Sequence, residues 1–115
     1  MTEVTIYHNP ACGTSRNTLA LIRNSGIEPR IVEYLKTPPS EAELDQILKK
    51  LGVEPERLAR KKEPVYAEKA EGHPLTRTEW LQLFHEQPRL IERPIVVIGN
   101  RAIVARPPEK VLEIL

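Results

Sequence analysis

The chain is expected to fold as an α/β domain on a mixed sheet, with a parallel β-α-β start, a helical middle, and a C-terminal β-hairpin closed by a helix. Three observations carry that expectation. Residues 4–8 and 30–35 are strand-like and are separated by one helical stretch, and a strand-helix-strand order implies a right-handed crossover between parallel neighbours. Two Ser/Thr-x-x-Glu patterns, Ser40 to Glu43 and Thr76 to Glu79, mark helix starts in the middle of the chain. Two short apolar runs near the end, joined by Gly99-Asn100-Arg101, have the spacing of an antiparallel hairpin.

The elements follow in order. Val4-Thr5-Ile6-Tyr7-His8 partly alternates apolar and polar residues and is bounded by Asn9-Pro10, which suits a strand. Residues 15–24 carry an apolar stripe of Leu19, Leu21 and Ile22, a helix that Ser25-Gly26 can end. Arg30-Ile31-Val32-Glu33-Tyr34-Leu35 is the second strand. The Ser40 cap opens a helix through Leu51 with Gly52 as its stop, and residues 54–59 form another short helix. The charged stretch 60–74 is a solvated connection or a set of short helical turns, and the Thr76 cap then leads into a helix bearing Trp80, Leu81, Leu83 and Phe84. Residues 94–98 and 102–105 are the hairpin strands, and residues 109–115 the final helix. No internal repeat or second core is visible, so residues 1–115 are expected to form one domain, its helical insertion at about 40–87.

Composition excludes several classes. Lys and Arg number 17 against 16 Asp and Glu, which leaves no electrostatic footprint for a nucleic acid. A single cysteine rules out an internal disulfide framework. Without a basic-then-apolar leader or an apolar run of membrane-spanning length, the expectation is a cytoplasmic protein with no membrane partner, acting as a monomer.

That one cysteine is the most informative residue. Cys12 falls between the first strand and the first turn of the following helix, where unpaired N–H groups and the helix dipole stabilise a thiolate and attract anions. Thiolate is the reactive form of cysteine. The alternative is a small buried apolar residue, against which the polar, turn-forming neighbours His8, Asn9, Ser15 and Arg16 argue. His8 is the only histidine near the thiol, and its imidazolium would favour the thiolate; it could equally be a strand-end histidine without a role. Arg60, Arg93 and Arg106 each follow an apolar segment. Brought together at a helix start they would cradle a tetrahedral oxyanion, because guanidinium forks match pairs of oxygens. Pro94, opening a strand beside the thiol, is a cis-proline candidate. Ser15 removes any Cys-x-x-Cys pair, and Thr18 removes a Cys-x5-Arg phosphatase loop. His8, His73 and His85 have no metal-ligand spacing with one another or with Cys12.

The segment His8-Asn9-Pro10-Ala11-Cys12-Gly13-Thr14-Ser15-Arg16-Asn17-Thr18-Leu19 resembles the active-site segment of the glutaredoxin-dependent bacterial arsenate reductases of the ArsC type. The resemblance continues in order through Ile22-Arg23-Asn24-Ser25-Gly26, Tyr34-Leu35-Lys36-Thr37-Pro38-Pro39, Leu58-Ala59-Arg60-Lys61 and Ile91-Glu92-Arg93-Pro94-Ile95-Val96-Val97. It closes on Arg106-Pro107-Pro108-Glu109-Lys110-Val111 and the residues that follow. It implies a thioredoxin-like fold with a helical insertion, Cys12 as nucleophile, and Arg60, Arg93 and Arg106 as oxyanion-binding residues. It further implies a cis Arg93-Pro94 bond and thiolate stabilisation by His8 and Ser15. The implied activity is reduction of arsenate to arsenite through a Cys12–arsenate adduct, in arsenic resistance. Glutathione would be co-substrate and a glutaredoxin partner, with no bound cofactor and no metal. The stretch 63–77 matches the pattern less clearly. The long plasmid-borne members carry a tail beyond the position of Leu115, without which the site is expected to be intact. Two other readings stand beside this one: a regulator resembling the Spx proteins that contact RNA polymerase, and a thiol oxidoreductase acting on glutathione mixed disulfides, which would not need three arginines.

Overall fold

The computed structural model describes residues 3–115, which group into two compact units, 3–37 with 93–115 and 38–92.

The first unit holds a four-stranded sheet of order β2-β1-β3-β4. Strand β1 (Val4–His8) runs parallel to β2 (Arg30–Glu33), with Ile6 opposite Ile31. It is antiparallel to β3 (Ile95–Ile98), with Ile6 opposite Val96, and β3 pairs antiparallel with β4 (Arg101–Val104). Between β1 and β2 lies helix α1 (Gly13–Asn24), which packs against a 3-10 helix at Pro108–Glu113. Val4 and Ile6 share one face of β1 by the two-residue period of a strand. They meet Leu19 and Ile22 of α1, Val96, Ala105 and Val111 in one buried cluster. All five residues of β1 are buried, as a central strand requires.

The hairpin is tighter than its sequence suggests. Arg101 pairs with Ile98, so only Gly99 and Asn100 form the turn. Gly99 has φ +59°, the left-handed conformation that the first position of a type II′ hairpin turn takes.

The second unit is helical. Helix α2 (Glu41–Leu51) opens on Ser40, whose Oγ accepts the Glu43 N–H at 3.1 Å, and stops at Gly52 with φ +70°. A 3-10 helix at Pro55–Leu58 and helix α3 (Pro64–Lys69) follow. Helix α4 (Arg77–Glu86) has both halves of the Thr76–Glu79 capping box, and a 3-10 turn at Pro88–Leu90 comes after it. α2 packs on α4, burying Leu44, Ile47, Leu48, Trp80, Leu81 and Phe84. Arg77 also bonds Asp45 at 2.8 Å. Four of the helical turns outside the long helices begin with proline, at 55, 64, 88 and 108, where a missing N–H and a preset φ cost nothing.

Two sequence expectations change here. The segments read as helices at 54–59 and 109–115 are 3-10, held by i to i+3 bonds such as Arg57 N–H to Glu54 O and Lys110 N–H to Pro107 O. Pieces of 3-10 helix are common as short connectors and element ends, whereas α3, also six residues behind a proline, closes i to i+4 bonds such as Ala70 N–H to Tyr66 O and stays α. The second strand is also shorter than read: it ends at Glu33, whose carbonyl accepts from the N–H groups of Lys36 and Thr37 and turns the chain. Among the described residues no helix is long and apolar enough to cross a membrane.

Candidate active site

The site is built on the turn that carries the chain from β1 into α1. Asn9 organises it: its Oδ1 accepts the Ala11 N–H at 3.0 Å and its carbonyl accepts the Cys12 N–H at 3.0 Å. Cys12 is the N-cap of α1, with extended dihedrals (φ −97°, ψ 122°), and its carbonyl takes the first helical bond from Arg16 N–H at 3.0 Å. The half-exposed side chain therefore stands at the positive end of the helix.

Electrostatics favour the thiolate. Burial pushes the Cys12 thiol up. The Ser15 N–H, the Arg93 guanidinium and the Thr14 N–H together outweigh that and hold it below the ordinary thiol value.

The Ser15 side chain serves the turn from below. Its Oγ, fully buried, lies 2.6 Å from His8 Nδ1 and accepts the Asn9 N–H at 3.1 Å. His8 is only 6% exposed, and that burial lowers its pKa; Glu33 opposes the shift, while Arg23 and Arg16 add to it. At neutral pH His8 therefore reaches the turn as a neutral hydrogen-bond partner of Ser15. Burial, with Arg23 and Arg16 adding to it, disfavours the imidazolium that the sequence reading placed beside the thiol. Arg16 donates from Nη1 to the Pro10 carbonyl at 2.8 Å, tying the outer side of the turn to the helix that follows it.

Arg93 and Arg106 belong to the same unit as Cys12, and each precedes a cis-proline, Pro94 and Pro107. Arg106 Nη1 donates to the Arg93 carbonyl at 3.0 Å, and Ala105 N–H donates to the Pro94 carbonyl at 3.0 Å. Arg106 thereby fixes the backbone from which the Arg93 side chain departs.

Arg60 lies in the helical unit. Its N–H donates to the Leu90 carbonyl at 2.7 Å, beside an antiparallel bridge between Ala59 and Ile91. Its Nη1 donates to Glu63 Oε1 at 2.8 Å.

A family model described as ArsC matches residues 7–114. The chain belongs to the ArsC family. It is 52% identical to the arsenate reductase of Rhizobium meliloti (strain 1021), over 97% of this chain and 81% of that protein. The arsenate reductase of Escherichia coli (strain K12) is 47% identical over 100% of this chain and 82% of its own length. Among solved structures, the arsenate reductase from Vibrio cholerae aligns with a TM-score of 0.95 at 46% identity, covering 99% of this chain and 98% of that one.

In this ArsC-family chain, His8, Cys12, Ser15, Arg93, Pro94 and Arg106 all fall in the sheet unit, where bonds and charge interactions join Cys12 to Arg93 and Ser15, Ser15 to His8, and Arg93 to Arg106. Arg60 is placed with the helices. Sequence reasoning missed two features. Glu63, the partner of Arg60, was assigned to a loose connection; the i, i+3 spacing of opposite charges was the available signal. The second cis bond, Arg106-Pro107, had no signal beyond its resemblance to Arg93-Pro94. Among the described residues, no three His, Cys, Asp or Glu side chains group as metal ligands.

Proposed function

We propose that this chain is an arsenate reductase that works through a covalent Cys12–arsenate adduct and draws its electrons from glutathione and a glutaredoxin. The observation that carries the reading is the Cys12 thiol, held below its ordinary pKa at the head of α1 with the Arg93 guanidinium beside it. A thiolate meeting an oxyanion needs cationic and N–H donors to offset mutual repulsion, and this turn supplies them. The family and relatives named arsenate reductase supply the substrate.

In the first step the thiolate attacks arsenic(V); a sulfur–arsenic bond forms and one oxygen leaves as water after protonation. Arg60, Arg93 and Arg106 hold the remaining oxygens, together with N–H groups from the start of α1. Reduction requires two electrons and a second thiol, and this chain has no other cysteine. Glutathione thiolate attacks Cys12 Sγ, the sulfur–arsenic bond breaks, and its electron pair stays on arsenic, which leaves as arsenite. Cys12 and glutathione are then joined as a mixed disulfide. A glutaredoxin takes the glutathione by thiol–disulfide exchange and returns the Cys12 thiol. Loss of arsenate by this route, followed by export or sequestration of arsenite, is the chemistry of arsenic resistance.

Intact-protein mass spectrometry tests the proposal. Incubation with arsenate and reduced glutathione, with no glutaredoxin present, should accumulate glutathione on Cys12, and omission of arsenate should leave the thiol free. Adduct formation that is indifferent to arsenate contradicts it and favours a reductase of glutathione mixed disulfides.

A further inference from the structure

We propose that Glu63 is a built-in competitor of the oxyanion, occupying the guanidinium of Arg60 so that substrate gains this arginine only by displacing a carboxylate. The inference rests on the reading of Arg60 as an oxyanion-binding residue.

Glu63 is placed for this by its backbone. It is the N-cap of α3, a position where a side chain ordinarily accepts an N–H of the first turn, yet it makes no cap bond. Its N–H donates instead to the Arg60 carbonyl at 3.1 Å, closing a turn that puts both side chains on one side. The carboxylate then takes Arg60 Nη1 at 2.8 Å, with the two side chains 20% and 22% exposed. Arg60 is anchored in turn by its bond to Leu90. The sequence between them, Lys61-Lys62, offers two cations that are solvent-exposed, and the carboxylate pairs with the half-buried arginine.

A carboxylate and a tetrahedral oxyanion present the same pair of oxygens to a guanidinium fork, so one arginine cannot engage both fully. A pair shielded from water is stronger than one on the open surface, which makes its displacement a real term in binding. Two consequences follow for specificity and turnover. A monoanion would merely replace the charge that Glu63 already supplies, whereas a dianion gains. Once the dianion is consumed, Glu63 recovers Arg60 and favours an emptied site.

The sign of one substitution decides the matter. Sulfate, a dianion that a thiolate does not reduce, is titrated as a protector of Cys12 against iodoacetamide in four proteins: the parent, Glu63→Gln, Arg60→Ala and the double variant. Circular dichroism confirms that each is folded. Glu63→Gln should tighten sulfate binding by about two- to fivefold, Arg60→Ala should weaken it, and Glu63→Gln should have no effect in the Arg60→Ala background. Glu68→Gln, the same charge change at an exposed position of α3, should leave binding as in the parent. Unchanged or weaker binding in Glu63→Gln, with Arg60→Ala still damaging, overturns the competitor role and leaves Arg60 in the site. Equal tightening by Glu68→Gln also overturns it, by reducing the effect to net charge. Sulfate binding indifferent to Arg60→Ala removes the arginine from the site and the proposal with it.

Discussion

Cys12 owes its character to a balance that can be tilted one group at a time. Its burial opposes ionisation, and the Ser15 N–H, Arg93 guanidinium and Thr14 N–H reverse the outcome. The pH profile of its iodoacetamide alkylation should therefore have a midpoint below the ordinary thiol value of about 8.5, and Arg93→Ala should move that midpoint upward. A midpoint that stays put in Arg93→Ala would show that the helix start alone sets the thiol. His8 makes the opposite kind of statement. Its folded pKa is depressed, so the unfolded chain binds more protons; its contribution to stability is complete above its ordinary value of about 6.5 and is lost as pH falls through the lower folded value. Thermal unfolding followed from about pH 7.5 to about pH 5 should show a smaller loss of Tm in His8→Gln than in the parent. Equal losses would place the acid sensitivity elsewhere. The polar character of this turn was legible in the sequence, because strand, turn and helix start are local. The lowered pKa of His8 was not, since it depends on burial and on Arg23 and Arg16 of α1, with Glu33 of β2 opposing them.

At the scale of elements, signals confined to a few neighbouring residues translated most directly into structure. The Thr76 box is complete in both directions, with Glu79 N–H donating to Thr76 Oγ1 at 3.2 Å and Thr76 N–H donating to Glu79 Oε1 at 2.8 Å. Thr76→Ala should cost about 1 kcal/mol in urea denaturation, and a change within error would mean that packing of Trp80 and Phe84 carries the helix start instead. The ring centroids of those two residues are 5.5 Å apart, and both are buried. Where the sequence reading overshot, the missing information was also physical. A proline at the first helical position is compatible with both α and 3-10 geometry, and length does not select between them: Pro64–Lys69 and Pro108–Glu113 are both six residues, the first α and the second 3-10.

For the whole molecule, the order of elements and the mixed sheet were readable because β-α-β handedness and hairpin spacing restrict the topology to few choices. Which arginines share a unit with Cys12 was not readable, because residues 93 and 106 are far from residue 12 in sequence and reach its unit through strand pairing that spans the chain. The resemblance to a family named those arginines; the Arg93 interaction with the thiol and the Arg106 bond to the Arg93 carbonyl supply the physical reason in the sheet unit. The central claim is that one thiol, activated by its place at the head of α1, reduces arsenate with the help of external thiols. Arsenate-dependent NADPH oxidation, coupled through glutathione, a glutaredoxin and glutathione reductase, measures it most directly, with Cys12→Ser in parallel. The account predicts turnover that requires arsenate, glutathione and Cys12 together, and none in Cys12→Ser. Arsenate-dependent turnover that persists in Cys12→Ser, or its absence in the folded parent with Cys12 reduced, would contradict it.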